Sequence, residues 1–211
     1  MVARKPGPKT ALNREVFVKA ALDIVDSEGL DALSMRRLGA EVGVDPMAAY
    51  RHFPNKDALL DGVVEAVVAE VDLEADPSQP WRAQIAALAR SYRTALLAHP
   101  AVAPLAASRP LGTPGSLRLA ERSLEVFEAA GVERHAAILA VNAMGIFVNG
   151  VVLVETGSAR PAPASAAQRE VLTGLAQADF PRLADLTASG DIVTTYDEIL
   201  GFGLDAVIAS L

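Results

Sequence analysis

Cysteine is absent from the 211-residue chain, which excludes a disulfide framework and any thiolate metal or redox centre. Histidine is scarce: His52, His99 and His135 lie far apart, and neither a G-x-S-x-G elbow nor a phosphate-cradling glycine loop accompanies them. His99, just before Pro100, reads as a helix-end residue, and Glu121, Glu125 and Glu128 suit a solvated helical face better than a metal cluster. No catalytic residue, metal or cofactor is therefore expected, and a small helical enzyme is the weakest functional reading. The first residues, MVARKPGPKT, lack the apolar run of a signal peptide, so a cytoplasmic protein is expected.

Lysine disappears after residue 56. The net charge of −7 would speak against a nucleic-acid partner if it were spread evenly, but it is not. Residues 1–60 hold nine Lys/Arg against eight Asp/Glu, whereas the remainder holds ten against eighteen. A modestly basic head on an acidic body suits a small DNA-reading unit attached to a domain with another task, because phosphate attraction depends on local cations. Arg4, Lys5 and Lys9, among Pro6, Gly7 and Pro8, make residues 1–12 a basic arm able to follow a phosphate backbone or a minor groove, or a terminus without a role.

The most informative stretch is LSMRRLGAEVGVDPMAAYRHFPNK, residues 33–56. Ser34 stands where an N-cap belongs, and Met35 to Val42 follow as a short helix with Leu38 and Val42 on one face. Gly43 falls where that helix must stop, since glycine takes a left-handed C′ conformation cheaply. Asp45-Pro46 then supplies an N-cap acid and a proline at the first helical position. A second short helix, Pro46 to His52, presents Met47, Ala48, Tyr50, Arg51 and His52 outward. This is the layout of a helix-turn-helix, whose second helix enters the major groove, and also of an ordinary αα-hairpin within a bundle.

Upstream, Asn13 caps a helix running to about Glu28 that buries Val16, Phe17, Ala20, Ala21, Ile24 and Val25 and ends at Gly29. Downstream, Phe53-Pro54-Asn55 turns sharply into a long helix from Lys56 to about Glu74, with Leu59, Leu60, Val63, Val64, Val67, Val68 and Val71 inward. Lys56 at its start would face DNA if the preceding helix does. Further helices are expected from Trp81 to about His99, from about Ser116 to Ala130, from about Ala166 to Ala178 and from about Thr194 to Leu211. The last has Ile199, Phe202, Ala206 and Val207 along it. Residues 136–154 carry no charge. A bilayer span needs roughly 20 apolar residues, but Asn142, Asn149, Gly145 and Gly150 interrupt this run and no second such segment exists, so a helix buried between others is the simpler reading. Asn142, Gly145 and Asn149 recur at i, i+3 and i+7, forming one small and polar face. It lines a ligand cavity or packs closely with its amides satisfied.

The segments GLDALSMRRLGAEVGV and AAYRHFPNKDALL are similar to the DNA-binding domain of the tetracycline-repressor (TetR) family of transcriptional regulators. FPRLADLTASGDIVTTYDEILGFGLDAVIASL, RSYRTALLAH (90–99) and SRP (108–110) resemble the C-terminal domain of the tetracycline-repressor type. The resemblance implies DNA contacts at Ser34 and Arg36, at Met47, Ala48, Tyr50 and His52, and at Lys56. Tyr50 and His52 can bond phosphates, Ala48 can touch a thymine methyl and Lys56 neutralises charge. It implies a homodimer built through the last two long helices, and with it a palindromic operator.

In tetracycline repressors a magnesium–drug chelate is held by histidines and an acid; the matching positions here are Leu105, Asp72 and Val154, which removes a hard-cation site. The implied cavity lining is Leu88, Tyr92, Leu105, Arg109, Glu121, Ile138, Asn142 and Ile146, which suits a small apolar or amphipathic organic effector. The expected protein is all-α, with about nine to ten helices. A helix-turn-helix domain over residues 1–58 would carry a helical ligand-binding and dimerisation domain over 59–211. The expected function is a ligand-responsive repressor released from DNA by its effector; a ligand-independent or architectural DNA binder is the alternative.

Overall fold

The computed structural model describes residues 12–109, 112–157 and 195–211, together with 174, 179–182 and 184–185. Nine α-helices lie among the described residues: α1 (Arg14–Glu28), α2 (Met35–Val42), α3 (Pro46–Tyr50), α4 (Lys56–Val68), α5 (Trp81–Ala98), α6 (Ala103–Ser108), α7 (Pro114–Ala129), α8 (Arg134–Glu155) and α9 (Tyr196–Ala209). No strand occurs among them. The all-α architecture, a helix-turn-helix unit before a larger helical body, is as expected. Most of the basic arm and the helix expected over 166–178 fall outside the described residues, 12 and 174 apart.

Every α-helix of the head begins on a side-chain cap. Asn13 accepts from the Val16 N–H, Ser34 from Arg37, Asp45 from Met47 and Asn55 from Ala58, each satisfying a donor that a helix start leaves open. Gly43 closes α2 at φ 75°, the left-handed value expected of it. Gly39 is required for a different reason. A Cβ there would stand 2.9 Å from the Val44 carbonyl oxygen and 3.0 Å from the Pro46 nitrogen, so α3 could not cross so close to α2. Phe17, Leu38, Ala49, Phe53 and Leu59 fill the space between α1, α2, α3 and the start of α4, with no exposed surface.

Three expectations are corrected. Helix α3 ends at Tyr50 rather than His52, with Arg51 as its C-cap and the His52 N–H bonded to the Ala49 carbonyl. Helix α4 ends at Val68 rather than near Glu74. The apolar pattern continues to Val71, which is buried, but the Asp72 side chain accepts the Glu74 N–H and the Ser91 hydroxyl accepts the Asp72 N–H. These side-chain bonds offer the backbone an alternative to the helix. Helix α6, not expected at all, is a six-residue piece begun by a proline in its first turn.

Helix α8 organises the body, packing against α5, α6, α7 and α9. Of the described helices it alone is long and apolar enough to cross a bilayer. It is not buried all round, contrary to the reading of a helix enclosed by others. Ala137, Ala140, Met144, Val148, Val151 and Val152 face the core, whereas Leu139, Ile146 and Val154 are exposed. Helix α9 divides in the same way: Leu200, Leu204 and Ile208 are buried, and Ile199, Phe202 and Ala206 point outward. The two helices meet closely because Gly203 lies under the Phe147 ring, where an added Cβ would fall 2.2 Å from ring carbons.

Candidate nucleic-acid interface and ligand cavity

At the head, the residues expected to meet DNA occupy one region, set by α2, α3 and the first turn of α4. Met47 is 65% and Tyr50 44% exposed, so both side chains stand clear of the packed head. Ala49, between them in sequence, is fully buried, so α3 divides sharply into a packed side and an outward side. Ala48 is half-buried beside them. His52 is also half-buried, its ring 5.3 Å from that of Phe17 and tilted by 41°, so α1 sets the direction of the imidazole. Ser34 is exposed, and its oxygen is already occupied as the α2 cap. Capping leaves its hydroxyl proton able to donate outward.

The two adjacent arginines of α2 differ. Arg37 is held by Glu28 and Glu41, at 2.5 and 2.6 Å. The hydrogen bond from Arg37 holds the Glu28 carboxyl below its ordinary pKa, and that bond and the one to Glu41 raise the guanidinium further above its own. Arg36 is exposed and has no polar partner among the described residues, and the same is true of Arg51 and Lys56. Arg36, Arg51 and Lys56 are thus cations left uncommitted around Tyr50 and Met47. Arg51 was identifiable in the sequence as outward-facing, but no site was assigned to it there.

In the body, a cavity of about 440 Å³ opens between α5, α7 and α8, with Val68 of α4 at one end. Leu88, Tyr92, Asn142 and Ile146 line it, and so do Gly145 and Asn149, which places the small polar face of α8 on the cavity wall. The amides are also satisfied: Asn142 Nδ2 donates to the Ile138 carbonyl and Asn149 Nδ2 to that of Gly145, both at 2.8 Å. The face therefore borders a cavity with its amides satisfied within its own helix, and it is not closely packed: a Cβ on Gly145 would meet nothing within 4 Å. Tyr92 donates its phenolic proton to Asn149 Oδ1 at 3.2 Å. Burial raises the Tyr92 pKa above its ordinary value, and the bond to Asn149 opposes that in part.

The other expected lining residues lie elsewhere. Leu105 packs into the core of α6. Arg109 turns to α4, donating from Nε to Asp61 at 2.9 Å and approaching Asp57 at 3.6 Å, because two carboxylates outweigh an apolar hollow as surroundings for a guanidinium. Glu121 is exposed on the solvent side of α7. Ile138 stands one turn before the cavity's first α8 residues and contributes only the carbonyl that Asn142 bonds. In their place Ser116, Ala120 and Ser123 of α7 and Met144 and Leu153 of α8 complete the wall. Small residues at those α7 positions were the available signal, since a hollow requires short side chains on one helix. Among the described residues, none that lines the cavity is charged.

The chain matches two family models. Residues 17–63 match "Bacterial regulatory proteins, tetR family", and residues 74–211 match "Tetracyclin repressor-like, C-terminal domain". It is 32% identical to the HTH-type transcriptional repressor DrrR1 of Streptomyces coeruleorubidus, an alignment covering 99% of this chain and 81% of that one. It is 36% identical to the class A tetracycline repressor protein from transposon 1721 of Escherichia coli, over 69% of this chain and 68% of the other. In fold it is similar to the Streptomyces coelicolor TetR family protein ActR in complex with actinorhodin, with a TM-score of 0.83 and 30% identity over 95% of each chain. With a helix-turn-helix head, an uncharged hollow in the body and both family models matched in order, the chain belongs to the TetR family, whose members are transcription factors and not enzymes.

Proposed function

We propose that this protein is a cytoplasmic repressor that binds a palindromic operator as a homodimer and releases it when a small uncharged or amphipathic organic molecule enters the body cavity. The observation that carries the reading is the pairing of two sites in one chain. One is an outward-facing α3 accompanied by the uncommitted cations Arg36 of α2, Arg51 at its own C-cap and Lys56 at the start of α4, and the other is a hollow with no charged side chain among the described residues that line it. Ser34, Arg36, Met47, Ala48, Tyr50, His52 and Lys56 would meet the duplex, with Met47 and Ala48 giving apolar contact to base edges and the rest mainly positioning on phosphates. Leu88, Tyr92, Asn142 and Ile146 would meet the effector, their amides and phenol fixing its orientation. Relatives support the same division of labour: ActR is known with actinorhodin and with (S)-DNPA bound.

Two functional units, divided near residues 58 and 59, share α4, whose first turn faces the head and whose Val68 reaches the cavity. The exposed Leu139 and Val154 of α8 and Ile199 and Phe202 of α9 supply the apolar face by which two copies would pair as a four-helix bundle. Operator half-sites roughly 34–36 Å apart would then match the two α3 helices in one state only. An effector shifts that balance by as much as its affinities for the two states differ. A gel-shift with the DNA upstream of the protein's own coding region tests the reading, run with and without neutral aromatic molecules. A retarded band that an added molecule abolishes is expected. No band at any protein concentration refutes the regulator, and a band indifferent to every molecule favours a ligand-independent DNA binder.

A further inference from the structure

Glu65 of α4 stands at the four-residue spacing of Asp57 and Asp61, so the three carboxylates form one stripe along the helix. The body grips that stripe along its length. Arg109, at the end of α6, takes Asp61 and approaches Asp57, and Arg118 of α7 donates from Nη2 to Glu65 Oε1 at 2.7 Å. Glu65 differs from the other two in a second bond: its Oε2 accepts the backbone N–H of Gly115, in the first turn of α7. That N–H is one of those an α-helix leaves without an internal partner, and the helix dipole strengthens its hold on a carboxylate. A Cβ at residue 115 would stand 2.9 Å from Glu65 Oε2, so any side chain there would make the carboxylate shift from its present seat.

The surroundings of this bond connect the two ends of the molecule. Ser116, the residue after Gly115, lines the body cavity, and so does Val68, three residues along α4 from Glu65. On its other side Glu65 faces a groove completed by Val18, Lys19 and Leu22 of α1. Helix α1 carries Phe17, on which His52 rests.

We propose that Glu65 is a positioning residue that transmits occupancy of the cavity to the DNA-binding head, by fastening the first turn of α7 to α4. The inference rests on the cavity being the effector site. A molecule seated against Ser116 displaces the start of α7. With Glu65 in place α4 follows, since the carboxylate holds a main-chain N–H, which cannot swing aside as a side chain can. Helix α4 then carries Lys56 and the packing beneath α3 with it. Without Glu65 the first turn of α7 moves alone and the head keeps its position.

The test uses the full-length protein, an operator duplex selected from random DNA by the wild type, and a cavity filled from within. Gly145→Phe serves as the filler, because a Cβ at Gly145 meets nothing within 4 Å. Operator affinity is measured for the wild type, Gly145→Phe, Glu65→Ala and the double variant, with thermal unfolding of each as the check on folding. Gly145→Phe is expected to weaken operator binding by roughly tenfold or more in the wild-type background. In the Glu65→Ala background the same substitution costs less than about threefold, with Glu65→Gln and Arg118→Ala intermediate. A Glu65 with a merely structural role lowers the melting temperature and leaves the ratio unchanged; an equal loss in both backgrounds therefore overturns the proposal while the cavity reading stands. Operator binding indifferent both to Gly145→Phe and to the neutral dye Nile red overturns the cavity reading, and this inference with it.

Discussion

Head and body of this protein reach their structures by opposite routes. In the head, all four α-helices start on a side-chain cap, and two glycines permit the turn and the close crossing between α2 and α3. Its two reading helices are short, α2 being eight and α3 five residues, so local signals and a few buried aromatic and aliphatic side chains must do what length cannot. In the body, α5, α7 and α8 run for 16 to 22 residues and are defined by apolar faces rather than by caps alone. The site proposed for the head is made of what protrudes, the ends of Met47, Tyr50, Arg51 and Lys56. The site proposed for the body is made of what is missing, since the cavity exists where Ala120, Ser116, Ser123 and Gly145 leave space. A protruding site is written in consecutive residues, whereas a hollow belongs to no single segment.

The contrast can be broken most severely at the outer face of α8 and α9. Phe202→Glu, at a side chain 79% exposed, is expected to leave each chain folded and to prevent the proposed pairing of two copies. Sedimentation should give a monomer, and operator affinity should fall by about 2 kcal/mol or more. A variant that still sediments as a dimer would remove this face as the pairing surface. Within the head, Gly39→Ala should cost about 1–3 kcal/mol of stability, because backbone atoms and not pliable side chains stand 2.9–3.1 Å from the added Cβ. Urea unfolding followed by circular dichroism checks it, and an unchanged midpoint would show that α2 and α3 can separate freely.

A smaller effect sharpens the view of the head as an electrostatic reader. Lys56→Gln should weaken binding to all duplexes alike and reduce the slope of log affinity against log salt by about 0.9, one phosphate's worth. A change confined to one operator sequence would instead assign Lys56 to base reading. The smallest effect concerns the body. Tyr92 should titrate above its ordinary value of 10.0, as followed by phenolate absorbance, because burial disfavours the phenolate. Its folded-state pKa is raised, so the stability it contributes is fully present below pH 10 and is lost as the pH rises through the folded-state value. Asn149→Ala removes the opposing hydrogen bond and should move the midpoint higher still.

What could be read from the residues alone follows this division. Caps at Asn13, Ser34, Asp45 and Asn55, the stop at Gly43 and the outward face of α3 were all legible, since each depends on neighbours within about four positions. The inward residues of α4 were legible too, but its end was not: Asp72 and Ser91, 19 residues apart, bond across the break. Arg109 and Glu121 looked like cavity residues by resemblance; the Asp57–Asp61 pair on α4 draws the first away and solvent claims the second.

The amino-acid order by itself determined the all-α class, the helix-turn-helix and the concentration of lysine in the head, because caps, glycine turns and local charge act over one helical turn. Only the tertiary structure decided which sides of α8 and α9 stay open, where the hollow lies and that Glu65 meets Gly115. Those outcomes depend on side chains 50 or more residues apart being brought within a few ångströms, a matter of packing that no local pattern carries.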